Sequence, residues 1–142
     1  ADLVVAGEGA SFGQPEVLLG VIAPAACALL PRRALPGVAA ELLFTGDPIP
    51  AQRAWEAGIV HRIVPDDRVD EEAMALARRC ARHSPAALRA TKRTLLTTAP
   101  LPRAAALRAA SAIYVDELME ARDACEGLHA FLEKRPAAWG RR

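Results

Sequence analysis

One carboxylate in this sequence stands where chemistry could be done. In the stretch SFGQPEVLLGVIAPAACALLPRR, Ser11 to Arg33, Glu16 follows a proline and precedes fifteen residues, Val17 to Pro31, that carry no charge. Pro15 removes a backbone donor and fixes the local backbone angle, so the chain itself sets the direction of the acid. A carboxyl packed against residues such as Val17, Leu18 and Leu19 loses hydration. Desolvation moves a carboxyl's titration towards neutrality, which is what a general acid or base requires. Spacing alone nevertheless favours a surface acid at a loop end, because a single glutamate before an apolar run is common.

The other reactive side chains read as structural. His61 lies in IVHRIV, towards the exposed face of a strand. His83 sits at a helix end, where its charge suits the dipole, and His129 is near Phe131. None has a Ser, Cys or carboxylate at triad-like or metal-like spacing. The three cysteines, Cys27, Cys80 and Cys125, are far apart, odd in number and set among alanines and leucines. They are expected to be small buried hydrophobes in a reducing, cytoplasmic setting, with no metal site. No glycine-rich phosphate loop of the Walker or Rossmann type is present.

These residues need elements to hold them. A chain of 142 residues, 52% apolar and 25% charged, can bury one domain's core. A net charge of +1 gives no reason to expect nucleic acid as a partner. The uncharged run falls short of the ~20 residues that span a bilayer and contains Pro24 and Pro31, so no membrane span is expected. The start, Ala1-Asp2-Leu3, has neither an initiator methionine nor the look of a signal peptide; it reads as the middle of a strand.

DLVVAGEG reads as a strand ended by a glycine turn, and SFG as a second short strand. APAACALLPRR, PGVAAELLFTG and AQRAWEAG read as short helices, the last two ending at Gly46 and Gly58, and IVHRIVP as a strand. Pro50 stands where a helix usually has a small polar cap. After Pro65 every segment reads as helix. DDRVDEEAMALARRCARH has acids first and bases last, and SPAALRATKRTLLTT has serine as cap with proline at the first helical position. From Leu101 the apolar residues Leu107, Ala110, Tyr114, Leu118, Ala121, Cys125, Leu128 and Leu132 step by three or four, one helical face that Gly127 is expected to interrupt. The organisation is thus mixed strand and short helix over 1–65, then helix over 66–142.

Three segments, ADLVVAGEGASFGQPEVLLGVI, AAELLFTGDPIPAQRAWEAGIVHRIVP and EGLHAFLEKR, closely resemble the enoyl-CoA hydratase/isomerase (crotonase) family, in its order and roughly its spacing. The resemblance covers essentially the whole chain but only the C-terminal half of the family's domain, with on the order of a hundred residues expected before Ala1. It implies an α/β fold: the end of a spiral ββα crotonase core, then a helical trimerisation region. By resemblance Glu16 is one of two catalytic carboxylates, delivering a proton to the α-carbon of an enoyl thioester during hydration or shuttling one during double-bond isomerisation. The second carboxylate and the oxyanion-hole amides belong upstream of this sequence. Pro15, Val17, Leu19, Ala25, Ala26 and Cys27 would border the acyl pocket, which alanine and cysteine in place of the family's glycines would narrow. Phe131 would pack on the adenine and Lys134 pair with phosphate of coenzyme A. The implied partners are an acyl-CoA thioester, further copies in a trimer or hexamer, and the missing N-terminal segment. No cofactor beyond the CoA moiety is implied. A non-catalytic binding or assembly subunit is the competing reading. A half-domain would also leave strand edges unpaired and Val17 to Leu19 uncovered, so order is expected only in an oligomer or with the N-terminal segment bound.

Overall fold

Valines at positions 4 and 5 lead into the first strand, β1 (Val5–Gly7), which pairs in parallel with β4 (Arg62–Val64) in the register Val5↔Arg62, Ala6↔Ile63, Gly7↔Val64. This arrangement comes from a computed structural model that describes residues 1–140. The pair is locked at its open end by His61, whose N–H donates to the Val4 carbonyl and whose Nδ1 accepts the Val4 N–H, both at 2.9 Å. At the other end Asp66 accepts the Gly9 N–H at 3.0 Å, and its carboxylate lies where a β-carbon on Gly7 would be. Only glycine admits that approach. β2 (Ser11–Phe12) pairs antiparallel with β3 (Ile49–Pro50).

The chain divides into two compact units, Ala1–Leu76 and the part from Ala77 onward. In the first, α1 (Pro24–Leu29), α2 (Pro36–Thr45) and α3 (Ala51–Glu56) accompany the strands. Its core is built from Ala6, Val38, Leu42, Ile49, Ala54 and Val60, with Phe12 and Ile63 packed against it. Pro50 leaves α3 without a side-chain cap, and the Ala51 N–H donates instead to the Ala10 carbonyl at 2.9 Å. That bond answers an orphan amide of the helix start and ties α3 to the turn before β2. Ion pairs Arg62–Glu72, Arg68–Glu71 and Arg68–Glu72, at 3.7, 3.1 and 3.4 Å, fasten the start of α4 (Val69–Ala81) to this unit.

The second unit holds α5 (Pro85–Thr98), α6 (Arg103–Ala112), a π-helical stretch Ile113–Leu118 and α7 (Arg122–Leu132). Its polar anchor is buried. Ser84 caps α5, its hydroxyl accepting the Ala87 N–H at 3.1 Å and donating to Asp123 Oδ2 at 2.5 Å, while Asp123 Oδ1 accepts the Gly140 N–H at 2.8 Å. The Ser84 hydroxyl first, then that backbone N–H, hold the Asp123 carboxyl below its ordinary range.

Two sequence expectations are corrected here. The break in the last helical region falls at Met119–Ala121, not at Gly127, which lies inside α7 with the Trp139 ring 3.3 Å from where its β-carbon would be. The π-helical stretch turns by one extra residue, so a three-or-four spacing does not keep one face across it. Nor are the cysteines buried: Cys27 and Cys125 are exposed and Cys80 half-buried, because they occupy helix faces that nothing in this chain covers. No helix among the described residues is long and apolar enough to cross a membrane.

Ser84→Ala removes the α5 cap and one donor to Asp123 together. It is expected to lower the unfolding free energy by about 1–2 kcal/mol, read as a lower urea midpoint at unchanged slope. An unchanged midpoint would contradict the anchoring role.

Candidate active site

Glu16 is placed by a short rigid device. Pro15 opens a five-residue 3-10 turn, Pro15–Leu19, and Gly20 closes it in the left-handed region at φ 71. The Gly20 N–H donates to the Val17 carbonyl at 3.0 Å and the Val21 N–H to the Glu16 carbonyl at 3.3 Å. Beneath the turn, α2 ends at Gly46, with φ 74. A β-carbon there would stand 3.1 Å from Val17 and 3.0 Å from Leu18. Gly46 therefore serves twice: it supplies the left-handed helix stop, and it leaves the room those two side chains fill.

The carboxyl is half-buried, and its Oε2 atom is sealed from solvent with no hydrogen-bond partner. Beside it opens a cavity of about 180 Å³. Val17 and Ile22 come from the uncharged run, Cys27 from α1, and Leu43 and Phe44 from the end of α2. Gln14 adds one amide, and Glu16 is the only charged residue of the lining. Buried polar atoms are normally paired, so an unpartnered oxygen on a carboxyl whose residue lines an apolar cavity calls for a functional explanation. The arrangement can give a proton to, or take one from, a carbon held against those walls.

Val17 and Cys27 thus share one cavity with Glu16. Pro15, Leu19, Ala25 and Ala26 are not part of its lining, and Leu19 is 81% exposed. Pro15 acts on the acid through the backbone instead. Phe131 and Lys134 belong to the second unit, where Phe131 lies in the last turn of α7 at 82% exposure and Lys134 follows in a left-handed turn at φ 53. Leu43 and Phe44 escaped the sequence reading because they lie almost thirty residues beyond Glu16. A larger hollow of about 370 Å³ lies in the second unit beside Arg89, Arg93 and Glu117. Its Glu117 is engaged by Arg93, so it offers no unpartnered acid comparable to Glu16. No cluster of three or more His, Cys, Asp or Glu side chains among the described residues could hold a metal ion.

Around the cavity the chain leaves large apolar side chains uncovered: Leu18 at 67%, Ile22 at 72% and Phe44 at 79% exposure. Comparison with known proteins gives this surface a context. The sequence model of the family described as Enoyl-CoA hydratase/isomerase matches residues 1–142. The 2,3-dehydroadipyl-CoA hydratase of Escherichia coli K12 is 38% identical over 135 residues, covering 94% of this chain and 52% of that protein. The cyclohexa-1,5-dienecarbonyl-CoA hydratase of Thauera aromatica is 39% identical over 144 residues, covering 99% and 54%. The crystal structure of an enoyl-CoA hydratase/isomerase from Mycobacterium paratuberculosis superposes with a TM-score of 0.94 at 31% identity, covering all of this chain and 54% of that one. The chain spans about half the length of the curated relatives it matches.

The unpartnered Oε2 makes a prediction of its own. Glu16→Met keeps the side-chain length and removes an unsatisfied buried polar atom, so the unfolding free energy should rise by about 1 kcal/mol. A urea titration that instead shows a loss would mean that the carboxyl is paired.

Proposed function

From the premise that this chain belongs to the enoyl-CoA hydratase/isomerase family, we propose that it is the Glu16-bearing half of a protein that adds water across the 2,3 double bond of an enoyl-CoA thioester. The fold that carries it is the crotonase fold of its structural neighbours. The observation that supports the reading best is Glu16 in the lining of an apolar cavity, its Oε2 buried without a hydrogen-bond partner. In the reaction, the water oxygen bonds to C3, Glu16 delivers a proton to C2, and a second group takes the proton that the water gives up. That group, like the donors that hold the thioester oxygen, belongs to the part of the family domain that this chain does not span.

The chemistry asked of Glu16 is acid–base, and it calls for no cofactor beyond the CoA moiety of the substrate. The exposed residues Leu107, Tyr114, Leu128 and Leu132 would serve as contacts between copies in a trimer or hexamer. A reducing, cytoplasmic setting accords with three free cysteines. Isomerisation is the second reading. Glu16 in the cavity lining is compatible with it, since a single group can take a proton from one carbon and return it to another.

In the complete protein that contains this chain, Glu16→Gln should lower turnover of a 2-enoyl-CoA by about 10²–10⁴ while leaving substrate binding intact. The assay is the loss of enoyl-thioester absorbance on hydration; a 3-enoyl substrate would gain that absorbance if the protein isomerises. Unchanged turnover of either substrate would remove Glu16 from the chemistry, and absence of turnover in the unaltered protein would favour a binding or assembly subunit.

A further inference from the structure

Asp123 is the only charged residue that is buried among those described, at 7% exposure. It lines a cavity of about 270 Å³ in the second unit. Tyr114, the chain's one tyrosine, and Trp139, one of its two tryptophans, line the same cavity, with Leu118, Met119 and Leu128. Ligand pockets have that make-up, an apolar and aromatic lining with few polar groups. The chemistry proposed for Glu16 uses none of these residues.

The lining is built locally and held firmly. Asp123 and Gly127 stand four apart in α7, so they share one face of the helix. A β-carbon on Gly127 would lie 3.3 Å from Trp139 Cη2 and 3.4 Å from Cζ3, so glycine is what lets that ring sit close to the helix. Trp139 Nε1 donates to the Arg82 carbonyl at 2.8 Å, which fixes the polar edge of the ring. The segment before Trp139 is clamped to α7. Arg135 donates from Nη1 to Glu126 Oε1 at 2.7 Å and from Nη2 to Glu126 Oε2 at 3.1 Å, and the Ala138 N–H donates to the same Oε1 at 2.8 Å. Tyr114 and Leu118 come from the π-helical stretch, a form of helix frequent at functional sites.

The electrostatics single out one class of ligand. Asp123 is kept charged chiefly by two neutral donors, the Ser84 hydroxyl at 2.5 Å and the Gly140 N–H at 2.8 Å, and Arg89 and Arg122 act on it more weakly. Neutral hydrogen bonds stabilise the charge without cancelling it, and a carboxylate with two bonds has further lone pairs. Tyrosine and tryptophan rings attract cations to their faces. A primary ammonium would set most of its three N–H donors against apolar side chains, whereas a quaternary ammonium has none to satisfy. The two arginines disfavour a ligand of more than one positive charge.

We infer that this cavity binds a small quaternary ammonium group, with Asp123 as its counter-charge and the Tyr114 and Trp139 rings as cation-attracting walls. The contacts between copies proposed for Tyr114 and Leu128, each 55% exposed, would then enclose the bound cation.

The test is calorimetric titration of the complete protein with choline and with 3,3-dimethylbutan-1-ol, its uncharged isostere. Choline should bind about tenfold more tightly than the isostere. Asp123→Asn keeps an acceptor for the Gly140 N–H and removes the charge, so it should bring choline down to the affinity of the isostere. Glu16→Gln should leave choline binding as it is, which locates the site in the second unit. Equal binding of the two compounds would make the cavity an apolar hollow only, and binding of neither would mean that it is filled by another copy or takes no such ligand; either result overturns the inference. So does a choline affinity that survives Asp123→Asn or is lost in Glu16→Gln. If Asp123→Asn does not fold, Tyr114→Leu at an exposed position decides: choline weakened by about threefold, with the isostere unaffected, upholds the site, and an unchanged choline affinity overturns it.

Discussion

Everything about the first unit turns on a carboxyl oxygen that has lost water without gaining a hydrogen bond. Glu16 Oε2 sits in that state within a turn whose two ends are fixed by Pro15 and Gly20, and Gly46 leaves the room that Val17 and Leu18 fill. Such an atom is a liability in a protein that only has to fold. In a site where a proton must pass to or from a carbon, it is what the chemistry needs, and Ile22, Leu43 and Phe44 set apolar side chains beside it.

The same side chains leave a large apolar surface uncovered in this chain. Its best-buried residues are small, mainly alanine and valine, and no large side chain among the described residues is fully buried. Meanwhile Leu18, Leu19, Ile22 and Phe44 stand largely in the open around the cavity. A patch of that kind is an interface in search of its cover. The curated relatives are about twice as long as this chain, which covers 52% and 54% of two of them. The second unit is built differently, with polar anchors in place of a large core: Ser84 to Asp123, and Glu126 to Arg135.

What the sequence made legible was local. Ser84 and Pro85 announce the start of α5, Gly46 and Gly58 the ends of α2 and α3, because caps and stops depend on nearest neighbours. The run after Glu16 was equally plain as a pattern, and the FGQPE motif gave it a meaning that spacing alone did not. What depended on packing was hidden. The exposure of Cys27 and Cys125 follows from which faces remain uncovered, and Phe44 reaches the cavity only because α2 folds back under the Glu16 turn. The π-helical stretch at Ile113–Leu118 carries no residue type that marks it, so the break moved from the glycine at 127 to Met119–Ala121. The Glu126–Arg135 clamp spans nine residues and reads in sequence as two ordinary surface charges.

The most direct measurement is hydrogen–deuterium exchange on the complete protein with and without a saturated acyl-CoA, which binds without reacting. If the acyl group lies against Glu16, the amides from Glu16 to Ile22 and those at Leu43 and Phe44 will exchange more slowly when it is present. Protection confined to the hollow beside Arg89 and Arg93, with the Glu16 turn unaffected, would contradict that account.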